Sequence, residues 1–549
     1  MYGQQGEVSG FLRADGQRLV NGEGREVLLR GVGFGGWLLP EGYMWRFPEE
    51  GDRPRRIERM IEQLIGKEKA ARFWHEYYNA HTAEADIRRI AEEGFNSVRL
   101  PINARFLIEE EEPLRLKPEH LQLLDRMIGW CKQYGLYVIL DLHGAPGGQT
   151  GTNIDDSERD LPELFVNEGH RKAAVELWAA LAERYKDEWI VAGYDLLNEP
   201  LPEWFNGYND RIMPLYKEMT EAIRRVDRNH MIILEGAHWA TDWSIFDEKF
   251  DDNLMLQFHK YWNNPDQASI QQFLDKREEW NVPIFMGEGG ENNLEWYVGA
   301  FGMYEDLKVS WNFWTWKKID TNNSPCSIRK PANWQLLVDY LQGGSKPNAE
   351  EAEAVLREFL SNMRLENCDY YQEVVNALFR RPPLRYPAIF YGHKGQGVSY
   401  GLQNAAKCNI GFRQEDGTDI RFIRSLRTEP NFQHGGGEPW AEEDRLLLQA
   451  HTGDWFNYEF NVYPENSDAS KTLLLCIRAA APEGNAKIEV TVNEREKITL
   501  DVVSQAWSDY EISGELNIGP GRHVIGIKAL DHPVQLDWLD IKVNTTLKS

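Results

Sequence analysis

The sequence has few cysteines, no long apolar stretch and no surplus of positive charge. Its five cysteines are far apart and include no Cys-x-x-Cys pair, which disfavours a disulfide framework or a thiolate zinc site. No apolar run approaches the roughly 20 residues of a membrane span. Lys and Arg number 61 against 87 Asp and Glu, so the formal charge is −26. We therefore expect neither nucleic acid nor a membrane as the main partner.

The amino-terminal residues also lack a targeting signal. Met1–Glu7 contains neither the basic segment nor the apolar segment of a secretory signal. The sequence as it stands predicts a cytoplasmic protein, and a secreted one only if a signal has been removed. Nothing in it predicts an oligomeric state.

Aromatic side chains, in contrast, are abundant. The chain has 20 Trp, 22 Tyr and 23 Phe, and 42% of its residues are hydrophobic. Such a composition allows large buried cores and excludes an intrinsically disordered chain. Many flat rings in an acidic protein favour a ligand with flat apolar faces, such as a sugar.

From about residue 27, apolar β-rich runs alternate with helical patterns, which is typical of βα units and a parallel sheet. Eight such runs over roughly 315 residues predict a (β/α)8 TIM barrel. A doubly wound sheet is the alternative, but no Gly-x-Gly-x-x-Gly motif follows the first run. The runs are Val27–Phe34, Ser97–Ile102, Val138–Leu142, Val191–Leu197, Met231–Leu234, Leu254–Phe258, Pro283–Met286 and Val309–Trp314.

The remaining pattern predicts three segments. Residues 1–344 form the barrel domain, which includes an amino-terminal β-ribbon over residues 8–30. Residues 345–383 are charged and helical in pattern and end at Pro382-Pro383, so we interpret them as a helical bridge. Residues 384–549 have short strands between Gly, Asn and Asp turns, which predict an all-β jelly-roll sandwich.

Polar residues stand at the carboxyl ends of the predicted strands, which share one mouth in a parallel barrel. Two of them, Glu199 and Glu288, close apolar strands, where a charge is costly unless it has partners or a function. Carboxyl groups about 5–5.5 Å apart permit double displacement at an anomeric carbon, and a wider gap gives inversion. One carboxyl must start protonated and the other ionised. The full set is Arg99, His143, Asn198, Glu199, His259, Tyr261, Glu288 and Trp316.

Five motifs around these residues resemble glycoside hydrolase family 5 over about residues 27–342. They are Val98–Pro101, Asn198–Pro200, Phe258–Tyr261, Gly287-Glu288 and Trp314–Trp316, in the family's order. The resemblance implies a hydrolase with Glu199 as general acid/base and Glu288 as nucleophile. It further implies roles at the cleaved sugar for the other strand-end residues: Asn198 at the 2-hydroxyl, Arg99 and Tyr261 orienting Glu288, His143 and His259 bordering the subsite, and Trp316 as stacking platform.

The loops resemble one branch of this family, the exo-acting β-1,3-glucanases. The resemblance lies in Gly35–Leu38 and Asp141–Gly147, and we expect further substrate contacts from Trp37, Glu41 and Trp239. The expected function is therefore a retaining β-glycosidase, exo-acting on a β-glucan oligosaccharide or a β-glucoside. The alternatives are a cellulase-type endo-β-glucanase and a β-diglycosidase that releases a disaccharide from an aglycone. A non-catalytic sugar-binding protein is disfavoured, because neither glutamate is missing.

No cofactor or metal is expected, since there is no His-Glu-x-x-His motif and Asn153–Asp156 offers too few spaced oxygens. The stretch of about 384–543 resembles a family 6 carbohydrate-binding module. By that resemblance Trp507, with Tyr391 or Tyr400 as its partner, would clasp a sugar, although Pro387–Tyr391 lacks the early acidic residue of the family's calcium site. A purely structural sandwich is the alternative.

Overall fold

The computed structural model describes residues 7–109, 114–406, 410–424, 426–463 and 470–546. The chain divides into two compact units. The first comprises Met1–Lys260, Gln272–Gly290 and Ser310–Tyr370, and the second comprises Tyr261–Gln271, Glu291–Val309 and Tyr371–Ser549.

The first unit contains a closed barrel of eight parallel strands, each paired with its neighbours in chain order. The predicted (β/α)8 barrel is confirmed. Its strands are almost wholly buried on both faces, as expected for a parallel sheet covered by helices. They are β1 (Arg30–Gly33), β2 (Ser97–Asn103), β3 (Tyr137–Gly144), β4 (Val191–Asp195), β5 (Met231–Glu235), β6 (Leu254–His259), β7 (Ile284–Gly290) and β8 (Ser310–Trp314).

The helices around the strands bury one apolar face each. In Pro54–Ile65 the buried Ile57, Ile61 and Leu64 recur at helical spacing, and proline occupies the first turn, where its missing N–H costs nothing. The other α-helices of this part of the chain are Lys67–His81, Glu84–Glu92, Ala104–Leu107, Pro118–Tyr134, Glu168–Tyr185, Ile212–Arg224, Ala237–Ala240, Gln271–Trp280, Gln335–Leu341 and Ala349–Asn362. Among the described residues, no helix has both the length and the apolar character that a bilayer span requires.

Short elements complete the first unit. The predicted amino-terminal ribbon is present as three antiparallel strands. These are Arg13–Asp15, Arg18–Val20 and Glu26–Val27; the other short strands are Ile108–Glu109, Arg115–Leu116, Lys317–Ile319, Cys326–Ile328 and Asp369–Tyr370. The 3₁₀ turns are Gly42–Trp45, Glu49–Gly51, Glu163–Phe165, Glu203–Arg211, Trp243–Ile245 and Leu365–Asn367.

The second unit contains two antiparallel sheets, so the predicted carboxy-terminal all-β fold is confirmed. Tyr386 of one sheet packs edge-on against Tyr458 of the other, with ring centroids 5.4 Å apart. The six-stranded sheet contains Leu384–Pro387, Asp419–Phe422, Leu446–Ala450, Ser470–Ala480, Ser508–Ile518 and Val534–Thr546. The five-stranded sheet contains Tyr400–Gly401, Trp455–Val462, Ala486–Val492, Glu496–Val502 and Gly521–Ala529. The helical segments of the second unit are Gln267–Ile270, Leu294–Asp306, Gln372–Leu378, Ala388–Phe390 and Gln414–Asp416.

The two units divide the chain differently from the predicted barrel, bridge and sandwich segments. The helix Ala349–Asn362, predicted as part of a bridge, belongs to the first unit. Its Phe359 lies in an aromatic cluster, with ring centroids 4.7 Å from Trp45 and 5.0 Å from Trp334. This apolar packing against residues of the first unit explains why the helix belongs to that unit.

Candidate active site

One arginine organises the carboxyl ends of the barrel strands. Arg99 of β2 is fully buried, and its Nε donates to Asp195 Oδ2 at 2.9 Å. Its Nη2 donates to Glu235 Oε1 at 3.0 Å and lies 3.1 Å from Asp141 Oδ2, while Nη1 donates to Glu288. One guanidinium thus neutralises part of the charge of four carboxyls from β3, β4, β5 and β7. Buried ionised groups persist only with such partners.

The two predicted catalytic glutamates lie close together beside His259. Glu199 follows β4 in a left-handed backbone conformation, with φ of 44°. Its Oε1 accepts a hydrogen bond from His259 Nδ1 at 2.7 Å, and the same nitrogen lies 3.7 Å from Glu288 Oε2. One carboxylate oxygen of Glu199 lies within 4.8 Å of one carboxylate oxygen of Glu288. Asn198 joins this group, since its Oδ1 accepts from Arg99 Nη2 at 2.8 Å.

The two histidines of the site differ in charge. His143 Nδ1 donates to Asp141 Oδ2 at 2.8 Å, and burial, with Arg99 nearby, lowers the pKa of His143 to about 4. Burial would also lower the pKa of His259, but the charges of Glu235 and Glu288 outweigh it and raise that pKa well above its ordinary value. His143 is therefore neutral near pH 7 and His259 is a cation.

Two buried carboxyls around Arg99 retain protons more strongly than a free side chain does. Burial raises the pKa of Glu235 to about 8, against the opposing charge of His259. Burial, together with the charges of Asp195 and Glu288, raises the pKa of Asp141 well above its ordinary value. The cluster therefore carries less negative charge than its count of carboxyls implies.

Two tryptophans predicted to contact substrate are instead core residues. Trp316 is 1% exposed, and its Nε1 donates to Asp86 Oδ1 at 2.9 Å. Trp37 is also 1% exposed and donates to the Tyr78 carbonyl. Both predictions are wrong, because each ring bonds to residues outside the cluster around Arg99. The tryptophan that borders the site is Trp314, which stacks on His143 at 5.4 Å and 4°.

The structure places Glu41 and Trp239 in the loops as predicted from their positions. Glu41 is buried, with Oε1 3.8 Å from His143 Nε2. Trp239 is half-buried and contacts Trp204 edge-on at 5.9 Å. Tyr261 belongs to the second unit, where its carbonyl accepts from Asn292 Nδ2 at 3.0 Å. Its contact with Glu288 stays a prediction.

The module residues Tyr391 and Trp507 differ in their surroundings. Tyr391 is fully buried, its hydroxyl donates to Asp416 Oδ2 at 2.9 Å, and the guanidinium of Arg413 covers its ring at 3.6 Å. The prediction that Tyr391 binds sugar is therefore wrong. Trp507 is half-buried, and its sugar-binding role stays a prediction.

Sequence reasoning missed Gln257, which lies in the middle of the polar cluster. Its Nε2 donates to Asp195 Oδ2 at 2.7 Å and to Glu235 Oε1. A Cβ at Gly287 would lie only 1.5 Å from Gln257 Oε1, so this glycine leaves the space that the amide fills. A glutamine inside an apolar strand is the signal that could have revealed it.

Two groups in the described residues have atoms close enough to hold a cation: Asp141, His143 and Glu288, and Glu199, His259 and Glu288. In each, the imidazole Nδ1 already bonds to a carboxylate, and the raised pKa of His259 opposes metal ligation. Asp155, considered earlier as a ligand, accepts from the backbone N–H groups of Thr150 and Gly151.

Comparison with known proteins relates the barrel to a known family. Residues 59–320 match the model of cellulase (glycosyl hydrolase family 5). The barrel is therefore similar to glycosyl hydrolase family 5 domains. The match covers β2 to β8, including both predicted catalytic glutamates, and the protein is a glycoside hydrolase.

Relatives of the family 5 domain have different names. A β-xylosidase of Phanerodontia chrysosporium is 28% identical over 60% of this chain and 76% of its own length. A probable glucan 1,3-β-glucosidase A of Emericella nidulans is 32% identical over 42% of this chain, which spans little more than half (57%) of that relative. Endoglucanase C of Acetivibrio thermocellus is 23% identical over 48% of this chain and 92% of its own length.

The lowered pKa of His143 predicts a pH-dependent contribution to stability. Below pH about 6.5 the unfolded chain protonates this imidazole, whereas the folded protein does so only near pH 4. Stability is therefore lost as pH falls through this window, by up to about 3 kcal/mol. His143→Gln should remove this loss, measured as the free energy of unfolding in urea from pH 7 to pH 4.

The control is His75→Gln, which removes an exposed imidazole. Comparing each variant with the unmodified protein cancels the contributions of the other titrating groups. If the stability curves of His143→Gln and the unmodified protein stay parallel across the window, a neutral, buried His143 is refuted.

Proposed function

We propose that this protein is a retaining β-glycosidase that hydrolyses β-glucosidic bonds by double displacement. The proposal rests on the short distance between Glu199 and Glu288, whose nearest carboxylate oxygens lie within 4.8 Å of each other. Retaining enzymes hold these groups about 5–5.5 Å apart, whereas inverting enzymes separate them by roughly 6.5–9.5 Å to admit a water. The short gap supports retention.

The contacts of each glutamate support opposite roles. Glu288 is paired with Arg99, which stabilises it as the carboxylate that attacks the anomeric carbon. Glu199 protonates the glycosidic oxygen as that bond breaks, and the leaving group departs neutral. Glu199 then removes a proton from water, which attacks the anomeric carbon and breaks the glycosyl–Glu288 ester. Two inversions restore the β configuration.

The other polar groups are proposed to bind the sugar in the cleaved subsite. Asn198, whose side chain Arg99 orients, would contact the 2-hydroxyl. His143 presents a neutral ring beside Glu41, and Trp314 takes the platform role that Trp316 does not fill. His259 completes the proposed set.

We further propose exo action on a β-glucan oligosaccharide or a simple β-glucoside. Support comes from the buried Glu41, whose carboxylate lies 3.8 Å from His143 and so offers polar contacts to a terminal sugar. The name of the glucan 1,3-β-glucosidase relative agrees with this proposal. The endoglucanase relative favours internal cleavage and the β-xylosidase relative favours a pentose, so both are retained as alternatives.

Removing either glutamate should abolish a defined step. Glu288→Ala should be almost inactive, and azide should restore turnover with an α-glycosyl azide product, because the small anion attacks from the vacated face. Glu199→Ala should lose about 10²–10⁴-fold on an unactivated disaccharide, the usual contribution of a positioned acid/base. In this variant azide should give the β-glycosyl azide. Product anomers are followed by NMR.

A β-glycosyl azide from Glu288→Ala would refute the nucleophile role. Glu163→Gln, which changes a buried carboxyl outside the cluster, is the control for loss of charge.

Exo action predicts one small product from a long β-1,3-glucan from the first minutes, with little fall in viscosity. Chromatography of timed samples provides the measurement, and mixed internal fragments at the start would refute exo action. Aryl β-glucoside and β-xyloside substrates assayed in parallel identify the sugar in the cleaved subsite.

The leaving group is proposed to rest on Trp204 and Trp239. Trp204 is 65% exposed and lies in the 3₁₀ segment Glu203–Arg211, just after Glu199. The two loops are joined by a hydrogen bond from the His238 backbone N–H to the Leu201 carbonyl at 2.8 Å. An exposed ring and a half-buried ring beside the acid/base suit a leaving group with a flat apolar face, such as a second pyranose or an aryl aglycone.

Trp204→Ala should therefore lower kcat/KM about 10-fold for a disaccharide or aryl glucoside, equal to about 1.4 kcal/mol of binding in the transition state. Methyl β-glucoside, whose leaving group has no ring, should be almost unaffected. Trp189→Ala is the control, because Trp189 is half-buried and precedes the opposite end of β4. Equal losses on ring-bearing and methyl substrates would refute this contact.

A further inference from the structure

Glu235 is placed to hold the backbone of the proposed acid/base. It is the last residue of β5, is fully buried, and its Oε2 accepts from the Glu199 backbone N–H at 2.7 Å. Glu199 has a φ of 44°, in the left-handed region where a non-glycine residue is strained. A buried carboxyl oxygen that accepts from this N–H is a direct means of keeping that conformation.

The second oxygen of Glu235 reaches the groups that contact both catalytic carboxyls. Oε1 accepts from Arg99 Nη2 at 3.0 Å and lies 3.4 Å from His259 Nε2. Arg99 in turn pairs with Glu288, and His259 Nδ1 bonds to Glu199 Oε1. Glu235 thus bonds directly to the backbone of Glu199. It also contacts Arg99 and His259, which in turn contact the carboxyls of Glu288 and Glu199.

The carboxyl of Glu235 is itself fixed in orientation. Gln257 Nε2 donates to its Oε1, and the Tyr216 hydroxyl donates to its backbone carbonyl at 2.9 Å. Contacts on both oxygens and on the main chain thus hold the side chain in this orientation. A group held this way can position its neighbours to within the tolerance that catalysis requires.

We propose that Glu235 is a positioning residue that orients Glu199 through its backbone N–H and through His259. This inference rests on the proposed function, because it presumes that Glu199 is the acid/base. It assigns to Glu235 no contact with the sugar.

The charge of Glu235 also bears on the pH dependence of the reaction. The groups that face it are Arg99 from β2, Asp195 from β4, and His259 from β6, with Glu288 of β7 and Asp141 of β3 across the guanidinium. At alkaline pH, where Glu235 is ionised, its charge and that of Glu288 keep His259 protonated. Loss of the Glu235 charge should therefore lower the pKa of His259, so that the imidazolium facing Glu199 is lost at a lower pH.

The test is Glu235→Gln in the full-length protein, with kcat/KM measured on two β-glucosides. One is an unactivated disaccharide, which needs protonation by Glu199, and the other carries a 2,4-dinitrophenolate leaving group, which needs almost none. We expect a loss of about 10–100-fold on the disaccharide, a fraction of the acid/base contribution, and a much smaller loss on the activated substrate. The alkaline limb of the pH profile should move about one unit to lower pH.

Glu235→Asp provides a second variant should the amide prevent folding. It retains the charge but is one methylene too short to reach the Glu199 N–H, so the loss on the disaccharide should persist while the alkaline limb stays in place. Asp227→Asn is the matched control. Asp227 is a buried carboxyl that bonds to His230 and Tyr194, just before the opposite end of β5, so its loss should alter only the unfolding midpoint.

Equal losses on the two substrates, or no loss on either, would overturn the positioning role. An unmoved alkaline limb in Glu235→Gln would overturn the part assigned to His259. If Glu199→Ala retains full activity on the disaccharide, the proposed function itself fails. That result is read from a different variant and is therefore distinct from a failure of Glu235 alone.

Discussion

The site depends on the ion pairs of one buried guanidinium. Four carboxyls from four strands converge on Arg99, and none could stay in this enclosed space as an isolated charge. The arginine is always protonated, so its positive charge is constant while the protonation of the surrounding carboxyls and histidines changes with pH. The same contacts join β2 to β3, β4, β5 and β7. The ion pairs that stabilise the charges of the site therefore also hold the strand ends together at the barrel mouth.

The remaining charge is adjusted by burial and by neighbours. His143 and His259 lie at the same end of the barrel and are equally enclosed, yet the pKa of the first is lowered and that of the second is raised. Their surroundings explain the difference. His143 bonds to Asp141, whose own pKa is raised by burial, whereas His259 lies between the carboxyls of Glu199, Glu235 and Glu288.

Sequence reasoning succeeded where a short-range pattern determines the structure. Apolar runs located all eight barrel strands, and charged residues within or just after those runs located Arg99, Glu199 and Glu288. It failed where the chain leaves a regular strand. β8 ends at Trp314, so the direction of Trp316 could not be extrapolated from strand alternation. Tyr391 resembled an exposed loop residue, but Arg413, more than twenty residues later, encloses it.

The sequence alone also could not predict that residues 261–271 and 291–309 belong to the second unit. Both segments lie between barrel strands along the chain, and their helical or turn-like patterns are typical of any βα connection. Contacts far apart in sequence, such as Asn292 with the Phe432 carbonyl, decide their membership, and no local pattern encodes such a contact.

Gly287 shows how such an arrangement restricts sequence variation. It carries no functional group, but any side chain at this position would collide with Gln257 and break its bonds to Asp195 and Glu235. In a library of random variants, this position should tolerate as few substitutions as Glu288 beside it. Residues of a site can thus be immutable because of the volume they leave to others.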